Sequence, residues 1–323
     1  MPLHEVVLHP FAGPRHRAES PVLLADHRGA GLSSLHAELA ERGCVPVVTH
    51  GLGETLDALR GGPHRALVLD PAGVGGVELE ELVRAAPGLP VVLFLDPETP
   101  EAGLEALEAR ESDPGLLLDL AHRGIGGREL ALRVHALERA AAWRHRASHD
   151  ERTECLRPEA FDRRLVEQAS ASRRHGFPLA LALLDLDEFG RVNKRHDHTV
   201  GDRVITRVGE VLRRTLRSED LAGRVGGDEF ALALPYTGAA EAEACARRVL
   251  AELARTPVAG RAGVQVTVSA SAGLAVLAPG DEAPLELVRR RAEVALRAAK
   301  HQGGGACVIW SERQAEDALA AAE

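Results

Sequence analysis

Asp185 closes an apolar run, Leu179–Leu184, and Asp187 follows it after a single leucine. Asp228 and Glu229 follow Gly226-Gly227 between two further apolar runs, Leu221–Val225 and Phe230–Leu234. Two strands separated by a glycine-containing turn read as a hairpin, because glycine accepts the positive φ such turns require. A carboxylate at a buried strand's end and another at a hairpin tip beside it make an oxygen-rich site. Such a site suits magnesium, which prefers one or two carboxylates together with substrate phosphates. Gly226 and Gly227 carry no side chains, so a triphosphate can approach their backbone amides. Metal, carboxylates and exposed amides are the equipment of phosphoryl or nucleotidyl transfer. Taken alone, a Gly-Gly turn with acids is most often a solvated hairpin; the conjunction carries the weight.

The elements that must hold these residues read as an α/β domain over residues 158–312. Pro158 opens a helix to about His175, and Val204, Val208, Val211 and Leu212 give a buried face to a helix over Val200–Leu216. Helices over Ala240–Ala254 and Leu285–His301 alternate with strands at Val264–Val268, continuing towards Val276, and at Ala306–Trp310. Residues 313–323 form an Ala/Glu-rich tail expected to fray, and residues 1–20 an N-terminal extension.

Over residues 21–138 short apolar runs alternate with helical patterns. The runs are Val22–Ala25, Cys44–Thr49, Ala66–Leu69, Pro90–Leu95 and Gly115–Leu118; Leu32, Leu35, Leu39 and Leu52, Leu56, Leu59 mark helices between them. That alternation predicts a doubly wound parallel sheet covered on both faces, with chemistry at the carboxyl ends of its strands. Asp26 and Asp70 stand at two such ends. Glu129 to His149 forms a helical pattern with Leu130, Val134, Leu137 and Ala141 on one face, giving a helical connector over 139–157. The spacing fits a dimer-forming connector and an ordinary amphipathic surface helix equally.

Composition narrows the classes. With 323 residues, 45% hydrophobic and 27% charged, the chain is globular in makeup and long enough for two domains. A net charge of −9 and 3% aromatics argue against nucleic-acid binding, which rests on basic surfaces and stacking platforms. No uncharged apolar run approaches the roughly 18–20 residues of a membrane span, and no signal peptide opens the sequence, so a cytoplasmic protein without membrane insertion is expected. Cys44, Cys155, Cys245 and Cys307 form no CxxC pair and read as buried or free thiols.

The stretch Arg224-Val225-Gly226-Gly227-Asp228-Glu229-Phe230 resembles the signature of the GGDEF family, the diguanylate cyclases. The likeness runs from Asp150 to Trp310 and takes in Leu183–Phe189, Asn193, His198, Gly201-Asp202, Ala295-Leu296, Ala299-Lys300 and Gly303. It implies a GGDEF α/β domain with a mixed, mainly antiparallel sheet of the palm or cyclase type. It further implies a homodimer that condenses two GTP into cyclic di-GMP with release of pyrophosphate. By position, Asp185, the backbone carbonyl of Leu186 and Asp228 are then ligands of Mg²⁺ (or Mn²⁺), with Asp228 as base for the 3′-hydroxyl and Glu229 in support. Gly226 and Gly227 meet the triphosphate, Asn193 and Asp202 read guanine, and Lys300 binds phosphate. A carboxylate accepts from guanine N1–H and N2–H₂, donors adenine lacks, so a wrong base leaves Asp202 unpaired. Arg217-Ser218-Glu219-Asp220 is similar to the family's RxxD inhibitory site for cyclic di-GMP, with Arg248 as a further contact.

Several positions depart from the family pattern. Gly190 and Gly304 replace a lysine and an arginine that the resemblance places on the phosphates; Glu188 replaces an aromatic and Asp197 a glycine. The opening Asp-x-Leu-Thr-Gly-Leu-x-Asn motif is eroded to Asp150-Glu151-Arg152-Thr153-Glu154-Cys155-Leu156-Arg157. Each lost charge-assisted contact is worth about 1.5–3 kcal/mol. A second reading therefore stands beside the first: a catalytically weak or inactive GGDEF protein acting as a cyclic di-GMP or GTP-binding effector.

Residues 21–138 resemble a bacterial response-regulator receiver domain, with Asp70 at the phosphoacceptor position and Asp26 matching one member of the metal-binding acid pair. His27 stands where the second acid belongs, Leu95 where a Ser or Thr belongs, and Arg123-Gly124 replaces Lys-Pro. Phosphoryl transfer needs a metal and a cation around the developing charge. The losses favour a pseudo-receiver for dimerisation or partner binding, a histidine kinase among the candidate partners.

Overall fold

The structure, a computed structural model, describes residues 20–27, 32–70, 81–82, 85, 88–95, 117–122, 124–196, 198–260 and 264–311. Residues 1–19, Pro71, Gly76, Arg123, Asp197 and the expected tail 313–323 lie outside the described residues. The chain divides into two units, Met1–Ala147 and Ser148–Glu323.

In the first unit five strands, β1 (Val22–Ala25), β2 (Pro46–Thr49), β3 (Ala66–Leu69), β4 (Val91–Leu95) and β5 (Leu118–His122), form a sheet in the order β2-β1-β3-β4-β5. Every neighbouring pair is parallel, the flavodoxin-like doubly wound order. Side chains alternate between two cores. Val22, Leu24, Val68, Val92 and Phe94 face Leu39 of α1 (His36–Ala40) and Leu130 and Val134 of α3 (Gly127–Ser148). Leu23, Leu67, Leu69 and Leu93 face Leu56 and Leu59 of α2 (Leu52–Gly61).

The fifth strand is a correction. It lies at Leu118–His122 rather than Gly115–Leu118, with Val91 opposite Leu118. At this edge of the sheet Asp119 and Leu120 are only half-buried, and Arg133 binds the Asp119 carboxylate at 2.9 Å. A polar side chain thus sits inside the strand and breaks the apolar run that marks the others. The helix α3 is pinned to its unit by Glu38, which accepts from the Gly127 N–H at 2.7 Å, and by the forked pair of Arg65 with Glu138. It ends at Ser148, so the expected connector 139–157 is helical only in its first part. Beyond it, Asp150 turns the chain by accepting from Thr153, and Leu156 bridges to His149 and Gly223.

The second unit has the strand order β12-β11-β6-β8-β7, from β6 (Leu179–Leu186), β7 (Leu221–Arg224), β8 (Glu229–Pro235), β11 (Ala270–Leu277) and β12 (Cys307–Ile309). Pairings are antiparallel except β11 with β12. The expected single strand from Val264 is two: β10 (Gln265–Val266) pairs with β9 (Val258–Ala259) as a separate ribbon before β11 begins. On one face Phe161 and Leu165 of α4 (Pro158–His175) and Val288 and Ala292 of α8 (Leu285–His301) pack on Leu181, Ala231, Ala233 and Ala275. α7 (Ala239–Arg255) packs on β11, β12 and β6, with α6 (His198–Thr215) against it. A short polar helix α5 (Phe189–His196), which no apolar periodicity announced, precedes α6 and contains no fully buried residue. All four cysteines are free and buried, and burial pushes the thiols of Cys155 and Cys307 up to about 12 and about 11. Among the described residues no helix is long and apolar enough to cross a membrane.

One close approach sets the depth of α8. A Cβ on Gly273 of β11 would lie 2.0 Å from the Leu296 nitrogen and 2.3 Å from the Ala292 oxygen, both backbone. Gly273→Ala should therefore lower stability by on the order of 3 kcal/mol, the upper part of the usual range for overpacking. A urea midpoint equal to that of the parent chain would show that α8 does not ride on this strand.

Candidate active site

The register of the central strands brings the acids together. Asp185, at the end of β6, lies opposite Glu229 at the start of β8 and opposite Ser271 of β11. The turn 225–228 closes with Val225 and Gly226 N–H donating to the Glu229 carbonyl, at 3.0 and 3.2 Å. The Leu186 N–H reaches back to the Asp228 carbonyl at 3.3 Å. The expected convergence of Asp185 and Asp228 is thus present in the backbone, and it has an electrostatic signature. Burial pushes the Asp185 carboxyl up, Lys300 draws it down, and the nearby Asp228 and Asp187 push it up again. Lys300, on the last turn of α8, places Nζ 2.6 Å from Asp185 Oδ2.

Asp187 does different work. Its two oxygens accept from Ser271 Oγ and from the Gly305 N–H, both at 2.7 Å. Gly303, Gly304 and Gly305 all have positive φ, at +101°, +82° and +64°. A Cβ on Gly304 would stand 2.9 to 3.1 Å from the Asp187 carboxylate. This loop is accordingly built for residues without side chains, where an arginine belongs in the family pattern. Neither Asp187 nor Ser271 was singled out for this role by its sequence context. The signal available was the glycine triplet, which needs an acceptor to hold it.

Arg224 organises the hairpin from below. Its guanidinium donates to the Gly227 carbonyl at 2.7 and 3.2 Å and to Asp150 at 3.1 Å. The tip that carries Asp228 is thereby tied to the turn that opens this unit.

Asn193 on α5 packs against Gly201 on α6, where a Cβ would lie 1.9 Å from Asn193 Oδ1. That oxygen is buried and has no hydrogen-bond partner among the described residues, an arrangement that calls for an outside donor. Asp202, the next residue of α6, accepts from Arg152 Nη1 at 2.6 Å. Asn193 thus lies against the residue that precedes Asp202, and Arg152 joins Asp202 from a distant part of the chain.

Arg217, Asp220 and Arg248 also gather. Asp220 is buried and accepts from the Arg217 N–H at 2.8 Å. Burial raises its carboxyl, and the charges of Arg217 and Arg248 oppose that rise. Arg248 donates to the Thr215 carbonyl at 3.1 Å, leaving both arginines exposed at one end of α6.

In the first unit Asp26 and Asp70 are buried at the carboxyl ends of neighbouring strands, with the Asp70 N–H donating to the Ala25 carbonyl at 3.3 Å. His27 Nε2 lies 2.9 Å from Thr55 Oγ1, which in turn bonds Thr49 Oγ1 at 2.8 Å.

No three His, Cys, Asp or Glu side chains form a metal cage among the described residues. The oxygens gathered here, the Asp185 and Asp228 carboxylates and the Leu186 carbonyl, are of the kind that Mg²⁺ prefers. The cation paired with Asp185 in this structure is Lys300.

Residues 147–306 match the family model described as diguanylate cyclase, GGDEF domain. The chain is 28% identical over 228 residues to diguanylate cyclase TpbB of Pseudomonas aeruginosa, covering 70% of this chain and 50% of that protein. It is 33% identical over 189 residues to diguanylate cyclase DgcP of the same species, covering 55% of this chain and 28% of that one. The chain therefore spans half or less of the length of these relatives. Among solved structures it is similar to the coiled coil and GGDEF domain of DgcB from Caulobacter crescentus in complex with c-di-GMP. The TM-score is 0.51 at 27% identity, covering 63% of this chain and 99% of that one.

The Asp187 bridge yields a direct expectation. Asp187→Ala should free the 303–305 loop, exposing the Gly305 amide to faster hydrogen exchange and lowering stability by about 1–3 kcal/mol. Unchanged exchange at Gly305 would show that the loop is ordered by something else.

Proposed function

Since the chain belongs to the GGDEF family through the domain at residues 147–306, we propose that it is a diguanylate cyclase that joins two GTP molecules into cyclic di-GMP. The observation that carries this reading is the approach of the Asp185 and Asp228 backbones at adjoining strand ends beside Gly227, which stands open. Asp185, the Leu186 carbonyl and Asp228 would hold Mg²⁺ or Mn²⁺, the oxygen set being of the right kind. When bound, these ions neutralise charge on the attacking and leaving oxygens.

The chain's own residues do the rest. Asp228 takes the proton from the 3′-hydroxyl of one GTP as that oxygen bonds the α-phosphorus of the other. The bond from the α-phosphorus to the bridging oxygen breaks, and pyrophosphate leaves. Glu229, exposed beside Asp228, adds negative charge for the cations. Asn193 offers its unpartnered oxygen to a base donor, and Asp202 accepts from N1–H and N2–H₂. Lys300 sits where a cation can serve both carboxylate and phosphate. Because the product has two-fold symmetry and each site supplies one nucleotide, the active form is a homodimer. Exposed Leu132 and Trp143 on α3 fit a role for that helix in pairing.

Arg217, Asp220 and Arg248 would form the product-feedback site, a reading supported by the Asp220 bond to the Arg217 N–H and by the exposure of both arginines at one end of α6. The first unit would act as a pseudo-receiver that couples a signalling partner to the cyclase, with GTP chemistry in the cytoplasm. His27, engaged with Thr55, makes a poor substitute for a second metal-binding acid beside Asp26 and Asp70.

One observation favours a second reading, an effector that binds cyclic di-GMP or GTP with little turnover. Gly190 stands open, and the Gly304 loop has no room for an arginine's Cβ without moving Asp187.

Purified chain given GTP and Mg²⁺ should form cyclic di-GMP, detected by chromatography, and Asp228→Ala or Glu229→Ala should abolish it. No product, with cyclic di-GMP still binding in calorimetry, would establish the effector instead. Arg217→Ala should raise accumulated product and remove inhibition by added cyclic di-GMP; inhibition that persists would take that site out of the account. Acetyl phosphate should leave Asp70 largely unmodified, and stable labelling there would overturn the pseudo-receiver.

A further inference from the structure

We propose that Arg152 is a specificity-determining residue that reads the O6 edge of the guanine held by Asp202, an inference that rests on the nucleotide reading above. Arg152 stands where the family's opening motif has leucine, so the guanidinium is this chain's own addition. Its Nη1 donates to Asp202 Oδ1 at 2.6 Å, and both side chains are about half exposed. An exposed arginine on a mobile turn would carry no such role. This turn is clamped, and to the very helix that bears Asp202.

The clamp has several parts. Asp150 Oδ1 accepts from the Thr153 N–H at 3.0 Å and from its hydroxyl at 2.8 Å, while Asp150 Oδ2 accepts from Arg224. Thr153 is fully buried, and its backbone lies so close to α6 that a Cβ on Gly209 would come within 2.3 Å of the Thr153 oxygen. Glu154, held at a positive φ of 57°, accepts from Arg213 Nη1 at 2.6 Å. Residues 152, 153 and 154 therefore run along α6 beside Asp202, Gly209 and Arg213, positions spaced by seven and four on one helix face. The Arg152 backbone is fixed relative to Asp202 on both sides.

Base chemistry supplies the function. Guanine presents N2–H₂, N1–H and O6 in succession along one edge. A carboxylate takes the two donors, and O6 then falls next to whatever flanks that carboxylate. Arginine has five N–H donors in a rigid plane and no acceptor, so one can hold Asp202 while another meets O6. Adenine would set its 6-amino donor against the guanidinium, donor to donor, and its N1 lone pair against the carboxylate. Asp202 and Arg152 thus read opposite polarities of one edge, and a wrong base fails at both.

The test uses the full chain and calorimetry with GDP and 6-thio-GDP; neither carries a pyrophosphate leaving group, and the second keeps N1–H and N2–H₂ but offers a weak acceptor at position 6. The parent chain should bind GDP about tenfold more tightly than 6-thio-GDP. Arg152→Ala should weaken GDP binding about tenfold, leave 6-thio-GDP nearly unchanged and so erase the preference. Arg152→Lys, which keeps the charge without the planar fork, should recover only part of it. Because exposed ion pairs scarcely affect folding, the alanine variant should unfold at the parent's temperature. Equal or tighter GDP binding by Arg152→Ala, or a preference that survives the substitution, would overturn the assignment and mark the ion pair as a surface contact. A parent chain that binds neither nucleotide would overturn the nucleotide reading as a whole, an outcome distinct from the first.

Discussion

Like charges at the ends of adjoining strands repel, and the second unit is organised around the cation that makes two of them tolerable. Asp185 is buried at the end of the sheet's central strand with Asp228 nearby, and both burial and its neighbour oppose its ionisation. Lys300 counters this from the last turn of α8. The helix can deliver that ammonium only because Gly273 lets its backbone lie directly on β11. A glycine in a strand, a helix seated on it and a lysine at the helix end form one chain of cause. Its purpose is to keep a concentration of negative charge in place.

The first unit makes an instructive contrast. It too sets two buried aspartates side by side at parallel strand ends, as its topology dictates. The residue beside Asp26 is a histidine bonded to a threonine hydroxyl, and β4 ends in Leu95. Topology alone brings acids together; whether they do chemistry depends on the groups gathered around them.

Much of this was legible in the sequence, for physical reasons. Strands covered on both faces read as continuous apolar runs, so β1, β3 and β6 stand out, as does the hairpin that flanks Gly226-Gly227. Helices with one buried face, such as α6 and α8, show their period. The helix α5 does not, because none of its residues is fully buried, although it carries Asn193. The edge strand β5 was displaced because Asp119, bound to Arg133, interrupts its apolar pattern. Contacts between residues far apart in the chain left the least trace. Arg152 with Asp202 and Asp187 with Gly305 are set by folding, and each residue alone looks like an ordinary surface group.

The glycine triplet at 303–305 has a consequence of its own. Glycine surrenders more backbone freedom on ordering than any other residue, and here three in succession take positive φ, with Gly303 donating to the Lys300 carbonyl at 3.1 Å and Gly305 to Asp187 at 2.7 Å. Hydrogen bonds rather than apolar burial order this stretch, which adjoins the lysine on Asp185. The hem of the domain beside its buried carboxylate is thus kept at an entropic cost that those hydrogen bonds must offset.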